Sequence, residues 1–157
     1  MNLIKTLFLT LILGIMPKES NAQKVDYFKV RDSLTFFVCG KQDSLLSVKT
    51  LESLEACDTN LFSKNIAYYY YDLGMAYYLL YTFSKDTNWL IKAIKMDEKT
   101  LYHKPKFTSS LWNLAFSYSL IGNCTNTKHY LMKYKRTLPK RKWNTEQIKY
   151  IERKCGK

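Results

Sequence analysis

The sequence predicts an all-α fold of antiparallel helix pairs, with about six or seven helices. Large apolar residues recur at three- and four-residue steps, as in Tyr70, Leu73, Tyr77, Leu80 and Tyr81. Turn-forming residues at 84–88 separate two such stripes. Small residues would let helices approach closely, namely Gly74, Ala76 and Ala115. Because one helix pair cannot bury its apolar face alone, we expect stacked pairs with a capping helix at the C-terminal end.

Residues 1–22 have the pattern of a secretory signal peptide. Lys5 precedes an apolar core at 6–16, and Ser20-Asn21-Ala22 forms a small-x-small cleavage site. The core is shorter than the roughly 20 residues that span a bilayer, although an uncleaved anchor or a buried helix is the alternative. We therefore expect an exported protein, periplasmic or secreted, with a single domain over 23–157.

Two helices are expected before the strongest pattern begins. One covers about 26–38, although the run 35–39 has the composition of a strand. The other begins after Asp43 or Ser44, continues to about Ala56, and places Leu45, Val48, Leu51 and Leu54 on one face.

The helices that follow are delimited by capping and turn residues. A tyrosine-rich helix is expected over 62–82, with Ser63 as its cap. Asp86 would cap a second helix that ends near Tyr102. Pro105 suits the first turn of a third helix at about 106–121.

Two further helices complete the expected order. A fourth helix should begin at Asn123 or Thr125 and end near Thr137, before Pro139. Asn144-x-x-Gln147 resembles a capping box and predicts a final capping helix over 144–155.

Two of these helices carry related motifs, Tyr70-x-x-Leu73-Gly74-x-x-Tyr77 and Leu111-x-x-Leu114-Ala115-x-x-Tyr118. Both resemble the tetratricopeptide repeat pattern W-x2-L-G-x2-Y, with Tyr or Leu in place of Trp. The resemblance covers two repeats, 63–102 and 106–139, and implies an α-solenoid. Tyr70 and Leu111 lie 41 residues apart, against 34 in the family. A generic antiparallel helical bundle is the alternative.

The resemblance also implies a concave groove lined by the first helix of each pair. In this register the groove residues are Tyr68, Tyr71, Met75, Tyr78, Leu79, Ser109, Trp112, Phe116, Ser119 and Leu120. Some family members bind a terminal carboxylate through Lys and Asn, and here only Asn113 fits that role. The groove therefore favours an apolar or aromatic ligand, and we expect Trp112→Ala to weaken binding with little effect on folding. The alternative is that flanking helices cover these residues as core.

The four cysteines predict disulfides in an exported chain. Alternating helix direction places Cys124 and Cys155 at the same end of the stack, so we expect these two to be bonded. Cys39 and Cys57 remain, but a continuous helix between them would hold them about 20 Å apart. Either the chain folds back along that helix, or these two thiols stay free.

Positive charge is concentrated in the C-terminal third. Residues 23–103 balance ten Lys or Arg against ten Asp or Glu, whereas residues 104–157 contain thirteen Lys or Arg and only two Glu. The densest cluster comprises Lys133, Lys135, Arg136, Lys140, Arg141 and Lys142. It favours an acidic protein or an anionic membrane surface as partner, and export argues against nucleic acid. A solvated lysine-rich face is the simpler alternative.

We find no catalytic or metal-binding pattern. C-x-x-C, H-E-x-x-H and glycine-rich phosphate loops do not occur, and the only histidines are His103 and His129. No acid and base are expected together in a cleft, so we predict neither catalytic residues nor a cofactor.

The sequence thus predicts an exported, non-enzymatic protein-binding module, such as a periplasmic immunity or inhibitor protein. The alternative is an envelope-associated structural protein that binds anionic lipid or polysaccharide through its basic C-terminal face. The oligomeric state stays open.

Overall fold

The computed structural model describes Leu51 and residues 65–156. The expected signal peptide, the 26–38 helix and the Cys39–Cys57 pair lie outside these residues. Leu51 is the only described residue of the expected 43–56 helix. It is helical and fully buried, in the core cluster formed by the next two helices.

The described part of the chain is helical and contains no strand, which confirms the all-α class. Its helices, in order, are α1 Ile66–Ser84, α2 Thr87–His103, α3 Thr108–Leu120, α4 Cys124–Thr137 and α5 Thr145–Lys154. A short 3-10 turn at Lys140–Lys142 joins α4 to α5 and was not expected.

Three helices begin where a side chain caps them. The Asp86 carboxylate accepts from the amide of Asn88 at 2.9 Å, and Asn123 accepts from Asn126 at 3.1 Å. The Asn144 side chain accepts from the amide of Gln147 at 3.2 Å. Each bond satisfies a backbone donor that the first helical turn leaves unpaired. The starts of α2, α4 and α5 are therefore confirmed.

Two expected starts are displaced. The first helix begins at Ile66 with Asn65 as its N-cap, and no side chain bonds to that end; Ser63 lies outside the described residues. The third begins at Thr108 after Phe107, again without a side-chain cap. Pro105 therefore precedes α3 and is not in its first turn, so that prediction was wrong.

Each of the first two helix pairs is antiparallel and has its own core. The start of α1 meets the end of α2, where the rings of Tyr70 and His103 stack 5.6 Å apart, and Tyr77 stacks on Trp89 at 5.9 Å. α3 and α4 meet likewise, with Tyr118 stacked on Tyr130 at 5.7 Å. α3 also packs on α2, and α5 packs on α3.

The two cores are separate clusters. Leu73 and Tyr77 are central to the α1–α2 cluster, while Leu111 and Ile151 belong to a cluster shared by α3, α4 and α5. At Gly74 the two helices of the first pair come very close, because a Cβ there would lie 3.4 Å from the Ala93 carbonyl oxygen.

α1 and α3 run side by side in the same direction. The amide of Asn113 lies 3.4 Å from the sulfur of Met75, and one turn further on the rings of Tyr78 and Phe116 are 6.3 Å apart. Since both pairs advance together along the two helices, a groove runs between them.

The C-terminal end is closed by the expected cysteine pair. Cys124 begins α4 and Cys155 follows α5, and the two lie at disulfide distance with their Cα atoms 5.2 Å apart. Lys135 and Glu152 form a 3.0 Å salt bridge between the same two helices.

Candidate binding cavity

A cavity of about 220 Å³ opens in the groove between α1 and α3. Its wall includes four of the ten predicted groove residues, Met75, Tyr78, Trp112 and Phe116, together with Asn113. Ser117 of α3 and Gln147 of α5 complete that wall together with Asp97 of α2. Four helices therefore contribute to one site.

Three aromatic rings form most of the apolar wall. Trp112 stacks on Phe116 with ring centroids 6.5 Å apart, and Phe116 meets Tyr78 edge to face. All three side chains are partly exposed, so they are accessible from the cavity. Burial raises the pKa of Tyr78, followed by the effects of Tyr81 and Tyr150, so its hydroxyl stays protonated at neutral pH.

The other six predicted groove residues do not line this cavity, namely Tyr68, Tyr71, Leu79, Ser109, Ser119 and Leu120. Tyr68 and Tyr71 pack against the ring of Phe107, at 5.3 and 5.1 Å, and the ammonium of Lys104 donates to the Tyr68 hydroxyl at 3.2 Å. Phe107, just before α3, thus fills the groove beside them. Ser119 is also buried, with its hydroxyl bonded to the Phe116 carbonyl oxygen at 2.6 Å.

Trp112 belongs to the core as well as to the cavity. Its ring lies 5.1 Å from that of the buried Tyr134, and it packs against the α3–α5 cluster. This packing argues against the expectation that Trp112→Ala would have little effect on folding. Tyr78 also packs against the α1–α2 cluster, but its ring neighbours, Tyr81 and Phe116, are both partly exposed. Since these two rings are not buried, Tyr78 is the better residue to truncate.

Asp97, Ser117 and Gln147 line the cavity although the sequence did not predict them there, and Asp97 is the one that can carry charge. Its side chain lines the cavity yet is only 2% exposed, so it lies at the inner end. Desolvation by burial raises its pKa to about 7, while the Ser110 hydroxyl and the Asn113 amide beside it act in the opposite direction. Neither Asp97 Oδ1 nor Ser110 Oγ has a hydrogen-bond partner among the described residues.

The close approach of α1 to α2 explains why the Asp97 side chain is shielded from solvent. A Cβ at Gly74 would lie 3.5 Å from the Asp97 carboxyl carbon, so the backbone of α1 covers one side of the carboxyl group. A signal for this was present in the sequence, since Asp97 continues the stripe of Leu90, Ala93 and Ile94 at helical spacing. A carboxylate in an apolar stripe indicates a buried charge.

The six residues of the predicted basic patch divide into two groups. Lys135 is half-buried, bonded to Glu152 at 3.0 Å and placed over the Trp143 ring at 5.4 Å, so its charge is already compensated. The other five side chains are exposed: Lys133, Arg136, Lys140, Arg141 and Lys142. Trp143 anchors the turn that carries three of them by donating to the Leu138 carbonyl oxygen at 3.1 Å.

Residues 65–156 contain no cluster of three or more potential metal ligands. No helix in that range is both long enough and apolar enough to cross a membrane. Comparison with family models, curated proteins and solved structures gives no significant match. The function must therefore be argued from the cavity itself.

Proposed function

We propose that this chain is an exported, non-enzymatic protein-binding module of the tetratricopeptide-like type, which uses the α1–α3 cavity to hold a side chain of its partner. The carrying observation is that Tyr78, Trp112 and Phe116 form one accessible aromatic wall between two parallel helices. The parallel course of α1 and α3 is what stacked repeats would produce.

The size of the cavity supports a protein ligand. Pockets for drug-sized molecules occupy roughly 300 Å³ or more, and this cavity holds about 220 Å³. It fits one inserted side chain, which is how aromatic interface residues commonly receive an anchor from a partner. A periplasmic immunity or inhibitor protein would have these properties, and that assignment rests on analogy.

The test is capture of a partner by matched tyrosine variants. Tyr78→Ala removes a ring from the cavity, and Tyr102→Ala removes one that is 83% exposed and lies outside it. The mature chain and both variants are used to capture proteins from an envelope extract of the source cell. Because Tyr78 borders the cavity, we expect its loss to weaken binding of the captured protein by about 2 kcal/mol, and Tyr102→Ala to leave it unchanged.

Thermal melting of each variant separates binding from folding. Tyr78→Leu serves as a second variant, since it keeps part of the apolar volume and loses the aromatic ring with its hydroxyl. Equal affinity for wild type, Tyr78→Ala and Tyr78→Leu, each in its folded form, would rule out the cavity as the partner site.

The exposed cations favour a second candidate, an envelope-associated protein that binds anionic lipid or polysaccharide. Lys140, Arg141 and Lys142 lie on one short turn, are all exposed, and form no salt bridge with described residues. Clustered surface cations of this kind attract anionic membranes in a salt-dependent way.

A further inference from the structure

The cavity contains a carboxyl group that has no counter-charge among the described residues. Asp97 forms no salt bridge with the described residues, and its Oδ1 has no hydrogen-bond partner among them. A buried charge of this kind is expensive unless a cation or hydrogen-bond donors compensate it. The ligand that would compensate it best is a cation that enters from the cavity.

We infer that the cavity accepts the ammonium group of a lysine side chain, with Asp97 as its counter-ion and the rings of Tyr78, Trp112 and Phe116 around its alkyl chain. This inference rests on the proposed function for the source of the lysine, which it assigns to a partner protein.

The wall residues suit an alkylammonium ligand in both its parts. The aromatic rings and Met75 offer apolar surface to the methylene groups, and ring faces attract a cation by about 0.5–2 kcal/mol. Ser117 and Gln147 also line the cavity, and their side-chain oxygens are of the kind that accept ammonium protons.

The carboxyl geometry favours lysine over arginine. Oδ1 of Asp97 is buried, so a ligand in the cavity would meet the other oxygen, Oδ2, and compensate the charge that the two oxygens share. A guanidinium group needs two parallel bonds to use its planar fork, whereas an ammonium group is a compact charge that one oxygen can hold.

Ionisation of Asp97 should be linked to binding. The described groups that face it are Ser110 and Asn113 of α3, the backbone at Gly74 and the phenol of Tyr71. None of these changes its charge between pH 5 and pH 9. An ammonium ligand therefore prefers the ionised carboxylate, and its affinity should rise with pH through about 7, where Asp97 loses its proton.

The test uses a matched pair of small probes on the purified chain with its disulfide intact. Nα-acetyl-lysine N-methylamide carries the cation, and Nα-acetyl-norleucine N-methylamide has a similar alkyl chain without charge. Binding is followed by chemical-shift changes of the backbone amides. Because the chain has a formal net charge of +12, non-specific electrostatic repulsion works against binding of the cationic probe. We expect that probe to bind at least about tenfold more tightly, the value of one charged hydrogen bond.

Two carboxylate variants then locate the charge. Asp97→Asn should abolish the preference for the lysine probe, and Glu146→Gln, an exposed site outside the cavity, should retain it. Equal binding of the two probes to wild type overturns the inference, as does a lysine preference that survives in Asp97→Asn. If Asp97→Asn does not fold, the probe comparison and its pH dependence in the wild type still decide.

A third probe, n-butylamine, identifies the source of the ammonium group. Tighter binding of the capped lysine supports a polypeptide ligand, and equal or tighter binding of n-butylamine overturns it in favour of a small free amine. These outcomes are independent of partner capture. A chain that binds the lysine probe but captures no protein contradicts the proposed function alone, and capture without probe binding contradicts this inference alone.

Discussion

At the scale of single residues, the buried carboxyl group of Asp97 suits a bound cation but lowers the stability of the fold. Its carboxyl group is 2% exposed and lies against the backbone of Gly74. The unfolded chain would hydrate this group fully, whereas in the folded chain the described residues offer it only the Ser110 hydroxyl and the Asn113 amide, and Oδ1 stays without a partner. Such a group is retained at a cost to stability, and sites that bind ligands often tolerate this cost.

We therefore predict that Asp97 makes the protein less stable as the pH rises from about 4 to about 7. Burial raises its pKa from an ordinary value of 3.8 to about 7 in the folded chain, so the folded state holds this proton more tightly than the unfolded state. The penalty is absent below the lower value and complete above the higher one. Each pKa unit corresponds to about 1.4 kcal/mol, so the total amounts to several kcal/mol.

The measurement is the free energy of unfolding in urea from pH 4 to pH 9. Asp97→Asn should remove this part of the pH dependence and be more stable than wild type above pH 8, while Glu146→Gln should follow the wild-type curve. Parallel curves for wild type and Asp97→Asn would mean that the carboxyl group is hydrated in solution.

At the scale of secondary structure elements, α5 depends on few contacts. It is a short helix that packs mainly on α3 through Ile148 and Ile151. Its other attachments are the Lys135–Glu152 salt bridge, whose side chains remain 27% and 30% exposed, and the Cys124–Cys155 link. Exposed salt bridges contribute about 0–1 kcal/mol, so the docking of α5 should depend on the two buried isoleucines and on the disulfide. Gln147 of α5 lines the cavity, so this docking also affects the site.

We predict that Cys124→Ser with Cys155→Ser loosens α5 selectively. Closing a loop across 31 residues is worth about 3 to 4 kcal/mol if the stabilisation is entropic. Hydrogen exchange should therefore show loss of protection in α5 while α1 and α2 keep theirs. Glu152→Gln removes only the salt bridge and should change little. Unchanged protection of α5 in the double serine variant would show that Ile148 and Ile151 suffice.

What the sequence could predict depended on where the signal lay. Three helix starts could be predicted because the capping side chain is itself visible in the sequence, as at Asp86, Asn123 and Asn144. Asn65 and Phe107 have no such bond, so those starts depend on tertiary packing and were displaced. Helical register was enough to bring Tyr78 and Phe116 together.

Other features of the site needed information from several elements at once. The predicted groove residues Tyr68 and Tyr71 do not line the cavity, because Phe107 from a neighbouring segment packs against them. The burial of Asp97 depends on Gly74 of another helix. Composition marks a carboxylate as a surface residue, and only its place in an apolar stripe indicated otherwise.

At the scale of the whole molecule, two different surfaces should control two different rates. The cavity is small, aromatic and acidic at its inner end, whereas exposed cations lie on α4 and on the 140–142 turn. Long-range charge steers diffusional encounter, and buried contacts govern dissociation. A partner suited to both surfaces has an acidic face and projects one lysine from it.

We predict that reversing the charges of Lys140, Arg141 and Lys142 to Glu slows association with the captured partner about tenfold or more at low salt and reduces its salt dependence. Dissociation should change little, whereas Tyr78→Ala should mainly speed it. The matched control reverses Lys85, Lys95 and Lys99, which are also exposed but lie on α2 or just before it.

Stopped-flow kinetics at several salt concentrations, with anionic vesicles as a second ligand, separate the alternatives. If both triple variants slow association equally, the net charge of the protein controls the association rate and the position of the charges on the 140–142 turn does not. If the Lys140–Lys142 reversal abolishes vesicle binding and leaves partner association unchanged, the basic turn serves the membrane surface. If the Lys140–Lys142 reversal slows association with the protein partner but leaves vesicle binding intact, the basic turn serves the protein partner. Vesicle binding in that variant would show that the membrane surface does not need these three charges.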